Sequence, residues 1–113
     1  IFHAAGKTGS GIFNAAKAEG KWAIGVDSDQ FEEMPCCVLS SMLKKVDVAV
    51  YETVVDISKG TFQAGLREFG LAEDGVTYVY DDNNKDRIPA EMVERIESIR
   101  KRVIAGEIEV PSK

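Results

Sequence analysis

The chain has 113 residues, of which 44% are hydrophobic and 29% charged, and its formal net charge at pH 7 is −5. A chain of this length can bury the core of one compact domain. The acidic balance argues against a surface for nucleic acid or for an anionic membrane. No apolar run approaches the roughly 18 residues that a membrane-spanning helix needs.

The first eleven residues predict a buried strand followed by a glycine-rich loop. Residues 1–5 are apolar enough for a strand that is covered on both faces. Gly6, Gly9 and Gly11 then permit a tight turn and a close approach of the main chain to a bound molecule. Because the chain opens directly inside a predicted strand, we expect it to be part of a longer protein.

A helix and a second strand follow this loop. Ser10 is suited to cap a helix over residues 11–19, whose first amides would point out of the loop toward an oxygen-rich ligand. Gly20 ends this helix, and residues 22–26 form an apolar strand. The strand delivers Asp27 at its carboxyl end, where ligands bind in parallel sheets. We therefore expect the glycine loop and Asp27 to share one crevice, with Asp27 contacting paired hydroxyl groups.

The rest of the chain continues the alternation of strands and helices. The predicted elements are a strand over residues 36–40, a helix over 42–59 ended by Gly60, a strand over 76–80, a helix that begins at Pro89 and ends at Gly106, and a last short strand over 108–110. This order predicts an α/β fold with a mainly parallel sheet flanked by helices.

The adjacent cysteines, Cys36 and Cys37, are not expected to form a disulfide. Neighbouring side chains leave a strand on opposite faces, and vicinal cysteines rarely bridge. We interpret both as small buried hydrophobic residues.

Three motifs imitate catalytic or metal sites, and each lacks a required residue. Gly6-Lys7-Thr8 resembles the end of a phosphate loop, but Ile1 stands where its first glycine belongs. His3 lies inside a predicted strand with no orienting group, so we expect a buried histidine and no thiol catalysis. The acidic residues after position 80 start like a calcium loop, yet Arg87 replaces the turn glycine. The sequence therefore predicts no catalytic residue, metal or cofactor.

Four phrases of the sequence resemble the basic membrane lipoprotein family of ABC-transporter substrate-binding proteins, which includes purine nucleoside receptors. They are IFHAAGKTGSGIFNAAK, GKWAIGVDSDQ, VLSSMLKKVDVAVYE and IAGEIEVP. The resemblance implies a type I periplasmic-binding-protein fold, in which two α/β lobes close over a ligand. It also implies that residues 1–113 are the C-terminal portion of the parent protein, whose N-terminal part is absent.

The resemblance further implies a set of ligand-binding residues. Asp27 and a helix lysine, Lys44, would engage ribose hydroxyls, and the complete implied set is Gly6, Thr8, Gly9, Gly11, Asp27 and Lys44. One departure concerns Lys7, which stands where the family commonly has a second glycine (AAGGTG). This lysine either favours a more anionic solute or points to solvent.

The implied function is non-enzymatic. The parent protein would bind a nucleoside-like small molecule and deliver it to an ABC transporter permease, as an exported protein that is periplasmic or lipid-anchored to the outer face of the cell membrane. Two alternatives remain open. One is a small α/β enzyme or regulator domain that binds a phosphorylated ligand through the Gly6–Gly11 loop, and the other is the ligand-sensing domain of a transcription regulator.

Overall fold

The computed structural model describes residues 1–111, which form an α/β unit with three α-helices and a three-stranded sheet. The elements in chain order are α1 (Gly9–Ala18), β1 (Ala23–Asp27), β2 (Val38–Lys44), α2 (Val46–Lys59), β3 (Val76–Tyr78) and α3 (Ala90–Ile104). Short 3-10 turns, Gly6–Thr8 and Phe31–Glu33, precede α1 and β2. The predicted α/β class is confirmed.

The sheet has the order β1-β2-β3 and is mixed. Strands β1 and β2 run parallel, with Asp27 opposite Leu43, whereas β3 pairs antiparallel with β2. The predicted first strand is reduced to a single parallel bridge between Phe2 and Ile24. Because β1 and β2 are parallel, their carboxyl ends lie at the same edge of the sheet.

The core lies between α1 and the amino ends of β1 and β2. Phe13 and Ala16 project from one face of α1, as their three-residue spacing predicts. They pack with Ala23, Cys37 and Val38, all of which are buried. This packing fixes the direction of β1, and therefore the position of its carboxyl end.

The boundary between β2 and α2 differs from the sequence prediction. We expected a strand over 36–40 and a helix from residue 42, but β2 extends to Lys44 and α2 begins at Val46. The end of β2 pairs with β3 on its second side, with Met42 opposite Tyr78. Pairing with a distant segment thus overrides the helical spacing of the local apolar residues.

Three smaller predictions concern the ends of the elements. Ser10 is not the N-cap, because α1 already begins at Gly9 and the Ser10 hydroxyl donates to the Lys7 carbonyl. Gly60 does end α2, in the left-handed conformation with a φ of 69°. Residues 108–110 do not form the predicted last strand.

Helix α2 presents an aliphatic face to solvent. Val46, Val50, Val54 and Ile57 recur at helical spacing, and each is more than half exposed. In the part of the chain that the structure describes, α2 contributes no buried residue. None of the helices in residues 1–111 combines the length and the apolar character needed to cross a membrane.

Candidate functional site

A cavity of about 510 Å³ opens at the carboxyl end of β1. This volume lies in the range of small-molecule binding sites, roughly 300–1,000 Å³. The cavity is lined by Gly6, Lys7, Ser10, Val26, Asp27, Ser28, Gln30 and Glu33. The structure therefore brings the start of the glycine loop and the strand-end aspartate to one surface.

Asp27 has an unusual backbone conformation at the edge of this cavity. Its φ is 70°, and the Ser28 amide donates a hydrogen bond of 2.9 Å to the Val26 carbonyl across it. A three-residue turn of this kind is strained for a residue other than glycine, by about 1–3 kcal/mol. Retained strain of this sort is characteristic of functional positions.

The Asp27 carboxylate pairs with Lys44. Its Oδ1 atom lies 2.7 Å from Lys44 Nζ, and both side chains are about half exposed, at 51% and 59%. Lys44 is the last residue of β2. The prediction that this lysine lies on a helix is therefore wrong, although it does contact Asp27. An exposed pair of this kind contributes only about 0–1 kcal/mol to stability, so its value for folding is small.

Gln30 organises the cavity wall, a role that the sequence analysis did not predict. The residue is 9% exposed; its Oε1 atom accepts from the Val26 amide at 2.8 Å, and Nε2 donates to Glu33 Oε1 at 2.9 Å. The Gln30 amide in turn donates to the Ser41 hydroxyl at 3.0 Å. The side chain of Gln30 thus ties the loop after β1 to β1, and its backbone N–H ties the same loop to β2.

Gly25 makes room for this arrangement. A Cβ atom on Gly25 would lie 2.6 Å from Ser41 Oγ and 2.9 Å from Gln30 Oε1, closer than real Cβ contacts. A glycine inside a predicted strand indicates that another group lies close to the strand backbone. Gly25 was therefore the sequence feature that could have indicated a side chain packed here, such as that of Gln30.

Asp29 stabilises the loop and is not among the residues that line the cavity. Its Oδ1 atom accepts from the Phe31 amide at 3.0 Å and from the Ser41 hydroxyl at 3.3 Å. These are the bonds of a turn-forming aspartate. The second acidic residue after β1 therefore differs in role from Asp27.

Charges of both signs face the cavity. Lys7 and Glu33 line it together with Asp27, and among residues 1–111 Lys7 has no carboxylate partner within ion-pair distance. The Asp27 charge is offset by Lys44, and Glu33 is bonded by an uncharged amide. The arrangement can hold a ligand rich in hydroxyl groups, with one free cation nearby.

Three predicted residues of the glycine loop, Thr8, Gly9 and Gly11, are not among the residues that line the cavity. The Thr8 hydroxyl donates to the Ala5 carbonyl at 2.5 Å, and a Cβ on Gly11 would meet nothing within 4 Å. Gly9 is buried against His3, whose Cε1 atom would lie 2.1 Å from a Cβ at that position. Gly9 is thus required by a neighbouring side chain of the same chain.

His3 is buried, as expected, and packs edge-on against Phe13 with the ring centroids 5.3 Å apart. Its Nδ1 atom faces the Ala5 amide at 3.4 Å, and Nε2 has no hydrogen-bond partner among residues 1–111. The expected buried histidine is confirmed, although one of its nitrogens is unsatisfied.

The segment that imitates a calcium loop is a structural turn. Asn84 is 2% exposed, and its Nδ2 atom donates to the carbonyls of Leu39 and Val79 at 3.0 and 2.9 Å. Its Oδ1 atom accepts from the Asp81 amide. In residues 1–111 no group of three or more potential metal ligands comes together.

Comparisons with known proteins agree with this architecture. The family described as Bmp, ABC transporter substrate-binding protein PnrA-like, matches residues 1–113. The CD4+ T-cell-stimulating antigen of Listeria monocytogenes is 33% identical over 130 residues, which covers 100% of this chain and 36% of the relative. Basic membrane protein D of Borreliella burgdorferi is 37% identical over 115 residues, with coverages of 98% and 33%. The chain spans about a third of the length of these relatives.

Two solved structures share the fold. A solute-binding protein of an ABC transporter system from Aeropyrum pernix superposes with a TM-score of 0.75 at 26% identity, covering 99% of this chain and 40% of that one. A transcriptional activator of the comK gene from Bacillus halodurans gives a TM-score of 0.78 at 20% identity, with coverages of 98% and 38%, and shows the fold alone. The chain belongs to the Bmp family of PnrA-like ABC transporter substrate-binding proteins.

Proposed function

We propose that this chain supplies one wall of the ligand cleft of an ABC transporter substrate-binding protein, and that the ligand is nucleoside-like. The observation that carries the proposal is the shared cavity of Gly6 and Asp27, with Lys44 paired to the aspartate. A carboxylate accepts hydrogen bonds from two adjacent hydroxyls, and an ammonium donates to them. Asp27 and Lys44 together therefore suit the vicinal hydroxyls of a ribose.

The strain at Asp27 supports a binding role over a folding role. A half-exposed ion pair contributes little to stability, yet Asp27 keeps a φ of 70° that glycine would adopt without cost. Asp27 thus strains the backbone and adds little to stability. Contact of its side chain with a ligand best explains why an aspartate stands at this position.

We further propose that residues 1–113 are the C-terminal portion of a two-lobed protein, in which the ligand sits between the lobes. The relatives are about three times as long as this chain. The exposed aliphatic face of α2 (Val46, Val50, Val54 and Ile57) supports the same view, because contiguous exposed apolar surface marks an interaction site. Ligand would then favour the closed arrangement of the lobes by contacting both.

The remaining parts of the proposal follow from the family. The parent protein binds its solute without transforming it and passes it to a permease. It is exported, and it resides in the periplasm or is anchored by lipid to the outer face of the cell membrane.

A phosphorylated ligand is the second candidate, and Lys7 is the observation that favours it. Its ammonium is the free cation of the cavity lining described above. Glu33 lines the same cavity without a cationic partner in residues 1–111 and would repel a phosphate, whereas an uncharged nucleoside meets no such repulsion. We therefore favour the uncharged ligand.

Isothermal titration calorimetry on the full-length protein tests the proposal. Inosine, guanosine and adenosine are compared with their 2′-deoxy and 3′-deoxy counterparts, and then with ribose 5-phosphate and ATP. We expect ribonucleosides to bind more tightly than either deoxy series, with no product formed. Preference for the phosphorylated compounds would favour the second candidate.

Asp27→Asn is the decisive variant, because it removes the charge and keeps the shape. We expect ribonucleoside affinity to fall about tenfold or more, since hydrogen bonds to charged groups contribute about 1.5–3 kcal/mol. Asp82→Asn is a matched control, because it breaks an exposed pair with Lys85 of similar length, 2.6 Å, that belongs to another loop. Unchanged nucleoside affinity in Asp27→Asn would overturn the proposed role of this carboxylate.

A further inference from the structure

The adjacent cysteines share a cavity at the opposite end of the sheet from the candidate ligand site. Cys36 and Cys37 lie just before β2, next to Trp22, which precedes β1. This cavity of about 230 Å³ is lined by Ala16, Lys17, Gly20, Lys21, Trp22, Cys36 and Cys37. The chain forms a turn at these residues and not the predicted strand, and the expectation that both cysteines are buried is wrong for Cys36, which is exposed.

The turn that carries the thiols is held in place on several sides. Arg87 donates from Nη1 to the Pro35 carbonyl at 2.9 Å, and the Cys37 amide donates to the Met34 carbonyl at 3.1 Å. The Cys37 carbonyl accepts from the Ala23 amide of β1 at 2.8 Å. The two thiols are therefore presented together by a fixed backbone.

The two thiols differ in exposure. Cys36 is exposed and Cys37 is buried, and both are free. Burial raises the pKa of the Cys37 thiol, and the neighbouring Cys36 side chain raises it further. Because Cys36 is exposed, its thiol is the first of the pair that a reagent reaches, and Cys37 is the second.

We propose that Cys36 and Cys37 form a vicinal dithiol site that binds one soft, thiophilic centre, such as a trivalent arsenical, across both sulfurs. Soft thiolate ligands select centres of this class. A direct disulfide is less favourable, since adjacent residues hold their Cα atoms about 3.8 Å apart, below the roughly 4.4–6.8 Å of unstrained bridges. An arsenic atom bonded to both sulfurs avoids this limit on the Cα–Cα distance, because the sulfurs are then not bonded to each other.

The reaction with phenylarsine oxide balances without an oxidant. In water the reagent is a phenylarsenic centre with two hydroxyl groups. The S–H bonds of Cys36 and Cys37 break, two As–S bonds form, and each hydroxyl leaves with one proton as water. Arsenic stays trivalent. The Cys37 thiol gives up its bond of 3.4 Å to the Phe13 carbonyl in this step.

The test uses the full-length protein, reduced and freed of reductant. It is incubated with equimolar phenylarsine oxide, challenged with excess glutathione, and examined by intact mass spectrometry. We expect one phenylarsenic group per chain to survive glutathione and to be removed by dithiothreitol. Two linked thiols raise the effective affinity by roughly 100-fold or more over one, so a monothiol should not compete.

Two variants identify the site and distinguish the effect of having adjacent thiols from the effect of having two thiols in the chain. Cys36→Ser, at an exposed position, should lose the retained group without changing the thermal unfolding midpoint. A second variant combines Cys36→Ser with Glu52→Cys on exposed α2, which restores the number of thiols but not their adjacency. It should also fail to retain arsenic. Retention in either variant, or loss from the parent protein under glutathione, would overturn the proposal.

Discussion

The Asp27 carboxylate lies 2.7 Å from the Lys44 ammonium, and this ion pair joins the last residues of two neighbouring parallel strands. Both groups face the edge of the sheet where ligands bind in open α/β folds. The pair places a hydrogen-bond acceptor and a donor side by side at the candidate site. Its effect on ligand binding can be measured separately from its effect on stability.

Asp27→Gly should reduce nucleoside binding while leaving the fold intact. Glycine relaxes the φ of 70°, and the exposed ion pair that is lost contributes at most about 1 kcal/mol. We expect the free energy of unfolding in urea to change by less than about 1 kcal/mol, whereas the dissociation constant rises about tenfold or more. A large loss of stability would indicate that Asp27 is retained for folding.

Gly25→Ala should destabilise the protein by about 1–3 kcal/mol, which is typical of overpacking. The new methyl group would collide with Ser41 Oγ at 2.6 Å and with the Gln30 side chain. Urea denaturation measures the effect. Gly11→Ala is the control, because a Cβ there meets nothing within 4 Å and alanine favours α1 by about 1 kcal/mol.

Gln30→Leu should destabilise by about 1–3 kcal/mol, because the Val26 amide loses its buried acceptor at 2.8 Å. The exposed Gln63 provides the matched substitution, Gln63→Leu, for which we expect a change within about 0.5 kcal/mol. Faster hydrogen exchange of the Val26 amide in Gln30→Leu would confirm the assigned bond. Equal stabilities of the two variants would contradict it.

Gly9→Ala should destabilise through a clash with His3, whose Cε1 atom would lie 2.1 Å from the new Cβ. Shortening the histidine opens that space. In a double-mutant cycle, the cost of Gly9→Ala should therefore be smaller in a His3→Ala background, by about 0.5–3 kcal/mol. A cost that is equal in both backgrounds would indicate that Gly9 is needed for another reason.

Asp74 should make stability depend on pH in the acid range. A hydrogen bond from Lys45 lowers the pKa of its carboxyl below the usual 3.8, partial desolvation opposes this, and Arg100 adds to the lowering. The unfolded chain therefore binds the proton more readily. This contribution is present above about pH 4 and is lost as the pH falls through the lowered pKa of the folded state.

Asp74→Asn tests this pH dependence. Asparagine tolerates the φ of 54° at this position, so the backbone should be kept. Urea denaturation between pH 5 and pH 2.5 should show a shallower loss of stability in this variant than in the parent. Asp82→Asn, in an exposed loop, serves as control. Parallel curves for Asp74→Asn and the parent would contradict the assignment.

The segments whose contacts are local in sequence were predictable. Phe13 and Ala16 occupy one face of α1 by spacing alone, and the strand that follows Gly20 was found within one residue of its ends. The meeting of Gly6 and Asp27 at one cavity follows from the strand-end rule. Their role in binding, like that of Thr8, Gly9, Gly11 and Lys44, stays a prediction.

The features that the sequence did not reveal depend on distant pairing. Residues 42–44 have helical spacing with the residues that follow, and only their contact with β3, more than thirty positions away, makes them a strand. The role of Gln30 depends on how its loop folds onto Ser41. The cysteines share a cavity because the chain turns before β2, where a strand was expected.

The bonds of Gln30 to Val26 and Glu33 imply that one wall of the candidate cavity is already assembled before a solute arrives. Ordering a flexible loop would consume part of the binding free energy, about 1–2 kcal/mol per residue fixed. Since this loop is ordered by its own buried amide, that entropic loss is avoided here. In the two-lobed protein that we propose, the conformational cost of capture would then fall on the movement of the lobes.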